Sequence, residues 1–158
     1  MAERKSSRER VLEAAARASL SISVMEMPAS TRTAAEAAEA CGCSVAEIVK
    51  SLVFCGAESG RLVLLLVSGA KQVDLAKAAE AIGEPLARAD PKAVRATTGF
   101  AIGGVAPIGH LTDLPTWIDE SLLGFKRVWA AAGAPTAVFA VAPRALQQAC
   151  GASVLTLA

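Results

Sequence analysis

Six consecutive apolar residues, Leu62-Val-Leu-Leu-Leu-Val67, constrain this chain more than any other segment. They are bounded by Arg61 and Ser68 and are far shorter than the ~20 residues a membrane-spanning helix needs. A short unbroken apolar run of this kind reads as a strand covered on both faces rather than an alternating, half-solvated one. The segment Lys50-Ser-Leu-Val-Phe-Cys55 precedes it, and residues 56–60 (Gly-Ala-Glu-Ser-Gly) separate the two. The pattern predicts a β-hairpin whose second strand is fully buried. With 158 residues the chain fits one domain, residues 1–158, which buries roughly 70% of the surface its unfolded form exposes. No disulfide or structural metal is needed to hold such a core.

The rest of the chain supplies helices and further strands. Residues 1–20 are expected to form an N-terminal amphipathic helix, with Val11, Leu12, Ala15 and Ala16 at helical spacing over Ser7 to Ala18. Ser21 to Met27 reads as a strand ending at Pro28. Thr33 to Cys41 reads as a short helix stopped by Gly42, and the capping-box pattern Ser44-Val-Ala-Glu47 starts another. Asp74 caps a helix stopped by Gly83, and Asp90-Pro91 opens the next. Strands are predicted over 116–122, 127–131 and 136–141. A helix follows from Pro143 to Cys150, and then a strand from Ser153 to Leu157. Strands and helices mix without strict βαβ alternation, so the predicted class is α+β around one mixed, strongly curved sheet flanked by helices.

Charge and composition exclude several functions. There are 16 Lys+Arg against 15 Asp+Glu and a single His. Two-His and three-His metal cages are excluded, as is a broad nucleic-acid-wrapping surface, though a local basic patch is not. Arg4, Lys5, Arg8, Arg10 and Arg17 form a modest basic cluster, partly offset by Glu3, Glu9 and Glu13, that reads as a solvated helix face or, less favoured, a contact for RNA phosphates. The charged start MAERKSSRER lacks the apolar stretch of an export signal, so a cytoplasmic protein is expected. Cys41, Cys43, Cys55 and Cys150 then read as reduced, structural thiols. Cys41-Gly-Cys43 is not a C-x-x-C, and no metal or cofactor site is expected.

The chemically suggestive residues are few. Thr98-Gly-Phe-Ala-Ile-Gly-Gly-Val-Ala-Pro-Ile-Gly-His110 is rich in glycine yet too apolar for an ordinary solvated connection. Its glycines allow close backbone approach, and its N–H groups can line an anion or carbonyl site. The alternative is a tight bend packed on the core. It lacks the Gly-Lys-Ser/Thr ending of a Walker loop and does not lead into a helix as a dinucleotide fingerprint does. Lys50, at a strand start, is either a solvated strand end or a charge aimed at a substrate phosphate or carboxylate. His110 is either a general base or oxyanion donor, or a loop residue bonded to backbone. No G-x-S-x-G elbow supports a nucleophilic triad. Asp119 and Glu120 point to opposite faces of a strand, so they cannot pair as acid and base.

Two blocks together carry a resemblance: Ser44-Val-Ala-Glu-Ile-Val-Lys50-Ser-Leu-Val-Phe54, and about fifty residues later Gly104-Val-Ala-Pro107-Ile-Gly109, followed by Trp117-Ile-Asp119-Glu-Ser. Over residues 20–158 the chain resembles the YbaK / prolyl-tRNA-synthetase-associated domain family. The resemblance implies hydrolysis of the ester joining a wrong amino acid to a tRNA 3′ end, most often tRNA for proline carrying Cys, Ala, Ser, Thr or a similar small residue. It implies catalytic roles for Lys50 and for the Gly104, Pro107 and Gly109 loop, and a substrate contact at Asp119. His110 would tune substrate choice. From position along the chain, Met27, Ile102, Val105 and Ile108 are expected to line the amino-acid pocket, with Met25 a further candidate. The partner expected is the acceptor end of a mischarged tRNA, with a prolyl-tRNA synthetase or an elongation factor as a possible carrier, and neither DNA nor membrane. Two other functions remain open: a module that binds tRNA ends or a nucleotide without hydrolysis, and thiol chemistry at Cys55 or Cys41/Cys43.

Overall fold

The structure is a computed structural model and describes residues 6–158. Helix α1 (Ser7–Arg17) is capped by the Ser6 hydroxyl and buries Val11 and Ala15. Strand β1 (Val24–Glu26) follows, then helix α2 (Ala34–Cys41), which opens on a complete capping box between Thr33 and Glu36. A single 3-10 turn (Val45–Glu47) leads into the hairpin of β2 (Val49–Gly56) and β3 (Leu62–Ser68). Helix α3 (Leu75–Ile82), strand β4 (Leu86–Arg88) and helix α4 (Pro91–Thr98) complete the first part. After the glycine-rich loop come β5 (Thr116–Asp119), a 3-10 segment (Glu120–Gly124), β6 (Val128–Ala134) and β7 (Ala137–Val141). The chain closes with α5 (Pro143–Cys150) and β8 (Ser153–Leu155).

The class is α+β, as the sequence predicts, but the strands hydrogen-bond as two sheets rather than one. The order β4-β2-β3-β5-β8 forms a five-stranded mixed sheet, antiparallel over β4-β2-β3 and parallel over β3-β5-β8. The order β1-β7-β6 forms an antiparallel three-stranded sheet. One isolated parallel bridge, Ile48 to Trp129, connects them at the foot of β2. The hydrophobic core fills the space between.

Strand β3 shows why the apolar run is continuous. Leu64 and Leu66 point into the main core with Ile118, Val128, Ala130, Phe139 and Leu146. Leu65 and Val67 point the other way, onto Ala78 of α3 and Leu157. Each fully buried leucine or valine stabilises the fold by about 1.5–3 kcal/mol relative to exposure, so both faces need apolar residues.

Several boundaries differ from expectation for local reasons. β1 pairs with β7 only over Val24–Glu26, and the exposed Ser21 and Ser23 lie outside it. The stretch expected as a strand to residue 122 turns into a 3-10 helix at Glu120, because the Asp119 carboxylate caps it through the Ser121 N–H. The last strand stops at Leu155, and the Leu157 N–H is taken by that same carboxylate at 2.7 Å. Strand β4 escaped the sequence reading, since three residues carry no period. Of the basic cluster, Arg4 and Lys5 lie outside the described residues. Arg8 forms an ion pair with Glu26, and Arg10 turns inward to the Gly99 carbonyl.

Candidate active site

A cleft of about 1040 Å³ opens where the two sheets diverge. Its walls come from β2, from Trp129, Ala131 and Val138 of the smaller sheet, from the start of α2, and from one half of the glycine-rich loop. The floor is apolar: Met27, Ala37, Ile48 and Val138 pack as a small cluster beneath it. The charged side chains lining it are Arg32, Lys50 and Arg88, all cations.

Lys50 lines the cleft near the start of β2, together with its neighbours from Val49 to Phe54. Its ammonium donates to the Lys71 carbonyl, and burial pulls its pKa below the usual lysine value. Met27 and Val105 also line the cleft as buried residues, while Ile102 lines it at 58% exposure. Met25 packs against the same cluster as Met27 but does not reach the cleft.

The glycine-rich loop divides between two environments. Residues 102–105 meet the cleft through Ile102, Gly103 and Val105. Here the Gly104 N–H closes a turn onto the Ala101 carbonyl at 2.9 Å. The N–H groups of Gly103 and Val105 have no hydrogen-bond partner among the described residues. Pro107, Ile108, Gly109 and His110 instead line a second, more polar depression of about 820 Å³, beside the C-terminal ends of α1 and α5.

The two signature glycines are set against protein, not against open cleft. A Cβ on Gly104 would lie 3.0 Å from Pro135 in the β6–β7 turn. Gly109 has φ +85°, and a Cβ there would lie 2.9 Å from the Arg10 carbonyl oxygen. Close approach to backbone was the expected use of these glycines, but the backbone approached is the protein's own.

His110 is largely buried, and its Nε2 lies 2.7 Å from the Ala106 carbonyl. A carbonyl only accepts, so Nε2 carries the hydrogen. Burial lowers the His110 pKa, partly offset by the Ala106 bond and by Asp113. Asp119 is 1% exposed and lines neither depression. One of its oxygens accepts from Leu157 N and Ala158 N, the other from Ser121 N and the Ser121 hydroxyl. Its carboxylate is thus fully engaged in tying β5 to the C-terminus.

The cysteines are free thiols. Burial, then the neighbouring Cys43, pushes Cys41 up to about 11, and burial pushes Cys150 to about 11 as well. Such groups are poor thiolate nucleophiles near neutral pH. Among the described residues no group of three or more His, Cys, Asp or Glu could hold a metal ion, and no helix is long and apolar enough to cross a membrane. Arg32 and Arg88 were missed by the sequence reading. Arg88 lies on the short β4, and Arg32 precedes the α2 capping box, a turn that motif could have placed.

Residues 28–149 match the family described as the aminoacyl-tRNA editing domain. The uncharacterised YwhH of Bacillus subtilis is 33% identical over 125 residues, 79% of each chain. EbsC of Enterococcus faecalis, named as a candidate Cys-tRNA(Pro)/Cys-tRNA(Cys) deacylase, is 31% identical over 115 residues, 72% of this chain and 70% of its own. A crystal structure described as a candidate trans-editing enzyme for prolyl tRNA synthetase superposes with a TM-score of 0.91 at 50% identity, covering 98% of both chains.

Proposed function

The chain belongs to the aminoacyl-tRNA editing domain family, and from that premise we propose that it is a free-standing aminoacyl-tRNA deacylase. Its substrate is a tRNA carrying a small wrong amino acid, with tRNA for proline the preferred carrier and Cys, Ala, Ser or Thr the candidate cargo. The observation that supports this reading is the make-up of the cleft. An apolar floor for a small side chain adjoins uncommitted backbone donors, under a rim whose charges are all positive.

The chemistry asks little of side chains, because an aminoacyl ester is already activated. Water attacks the carbonyl carbon, and the N–H groups of Gly103 and Val105 receive the oxyanion, each such donor being worth about 10²–10³-fold. The bond from the carbonyl carbon to the ribose oxygen then breaks. The proton lost by water passes to that oxygen, with the neighbouring ribose hydroxyl as relay, and free amino acid and tRNA leave. Lys50, with Arg32 and Arg88, holds the phosphates of the terminal nucleotides and so fixes the ester over the donors. Pro107, Gly104 and Gly109 act by fixing the loop. His110 acts from behind it, and Asp119 acts on the C-terminus rather than on substrate.

Editing of this kind is useful because an apolar pocket rejects one extra or missing methylene by only about 10–200-fold. The test is release of amino acid from tRNA for proline charged with Cys, Ala, Ser, Thr or Pro, with Lys50→Ala beside the wild type. Turnover of one or more small noncognate species, lost in the variant, is expected. Binding of the tRNA without release of any amino acid would establish the non-catalytic alternative.

A further inference from the structure

We propose that Arg10 is a positioning residue for the cleft-facing half of the glycine-rich loop, acting from the opposite side through Phe100 and His110. The inference rests on the deacylase reading above. Arg10 lies on α1, 89 positions from Gly99, yet its Nη2 donates to the Gly99 carbonyl at 2.6 Å and reaches the Ser7 hydroxyl at 3.3 Å. The guanidinium carbon stands 5.0 Å from the centre of the Phe100 ring. Phe100 is 1% exposed and meets the His110 ring edge-on, at 5.9 Å between centroids. His110 in turn donates to the Ala106 carbonyl. Thr98 adds a second hold at the loop's entry, bonding Val94 O and Phe100 N through its buried hydroxyl.

Residues 101–105 are therefore gripped at both ends, at 99–100 and at 106–110. Between the grips one internal bond, Gly104 N–H to Ala101 O, shapes the turn. That span borders the cleft and includes the unbonded N–H groups of Gly103 and Val105. Gly109 completes the contact, since its missing side chain leaves room for the Arg10 backbone carbonyl. Arginine suits this place because one planar group both donates to a carbonyl and covers an aromatic face, which lysine does less well. A shift of about 1 Å in a reacting group can cost about 10²-fold in rate. An element that touches no substrate can thus govern turnover.

The experiment compares wild type, Arg10→Ala and Arg10→Lys by amide hydrogen exchange and by deacylation kinetics on the same mischarged tRNA. In Arg10→Ala, the Gly104 amide, bonded to the Ala101 carbonyl, should exchange about tenfold faster or more while those of β3 stay unchanged. kcat should fall about 10–100-fold, with KM within about threefold, and Arg10→Lys should fall between. Unchanged loop exchange, or a loosened loop with unchanged kcat, overturns the proposal. Acceleration spread evenly over β3 and the loop also overturns it, by making Arg10 merely structural. A wild type inactive on every charged tRNA would sink the deacylase reading instead, and unchanged loop exchange would still sink the clamp.

Discussion

The two halves of the glycine-rich loop share composition but face different surroundings. Residues 102–105 border an apolar cleft ringed by Arg32, Lys50 and Arg88, and among their N–H groups only that of Gly104 is engaged within the described residues. Residues 107–110 border a polar depression between helix ends, and Gly109 is pressed against the α1 backbone. The difference teaches that one signature loop can serve two environments, with Gly104 packed on Pro135 beside the cleft and Gly109 packed on α1 away from it. In the proposed reading Gly104, Pro107 and Gly109 shape the loop, and Gly103 and Val105 offer their N–H groups to the substrate carbonyl. Substitutions in the packed half should therefore lower stability, and substitutions at the cleft should lower turnover.

The largest expected effect is in the packed half. Gly109→Ala places a side chain at a left-handed φ and against the Arg10 carbonyl, and should cost about 3 kcal/mol from strain and overpacking. Urea unfolding checks this, and a loss under about 1 kcal/mol would mean α1 gives way freely. Next, at the cleft, Lys50→Ala should lower kcat/KM about 100-fold. Its stability should change by only about 1 kcal/mol, the worth of the bond to Lys71.

The pH dependence of stability sharpens the same contrast. Folding depresses the His110 pKa below its ordinary 6.5, so between the two values the unfolded chain binds the proton more readily. Its contribution is fully present above about pH 6.5 and is lost as pH falls through the folded value. The stability gap between wild type and His110→Gln, measured by urea midpoints, should narrow from pH 7.5 to pH 5. Activity should follow that curve only through the loop. The smallest effect concerns the rim. Contact with a few phosphates of a single strand predicts a salt slope of about −2, reduced by about 0.7 in Arg88→Ala. Fluorescence anisotropy against a labelled acceptor-stem RNA reads it, and a slope beyond about −5 would mean a far larger RNA footprint.

Much of the fold was legible because its signals are local. The unbroken Leu62–Val67 run marked the central strand, and Asp74 and Asp90 cap helices where side-chain chemistry places them. The split into two sheets was not legible, since it depends on which strands pair across long separations. The single bridge from Ile48 to Trp129 leaves no pattern in either segment. At the site, Lys50, Met27, Ile102 and Val105 were placed together from motif and position. Asp119 looked like a site residue because a carboxylate beside a signature attracts that reading. Its four donors come from Ser121 and from the last two residues of the chain, which spacing cannot reveal. Arg10 looked like one charge of a solvated face for the same reason.

The near-neutral net charge, +1, agrees with a protein that grips only an RNA end through a few rim cations. What remains decisive is which half of the loop meets the substrate. A 3′-aminoacylamino analogue of the terminal adenosine, whose amide cannot be hydrolysed, can be titrated while backbone amide resonances are followed. The account predicts that Gly103 and Val105 shift most and that residues 107–110 stay nearly still. Shifts centred on 107–110, with Gly103 and Val105 unmoved, would contradict it.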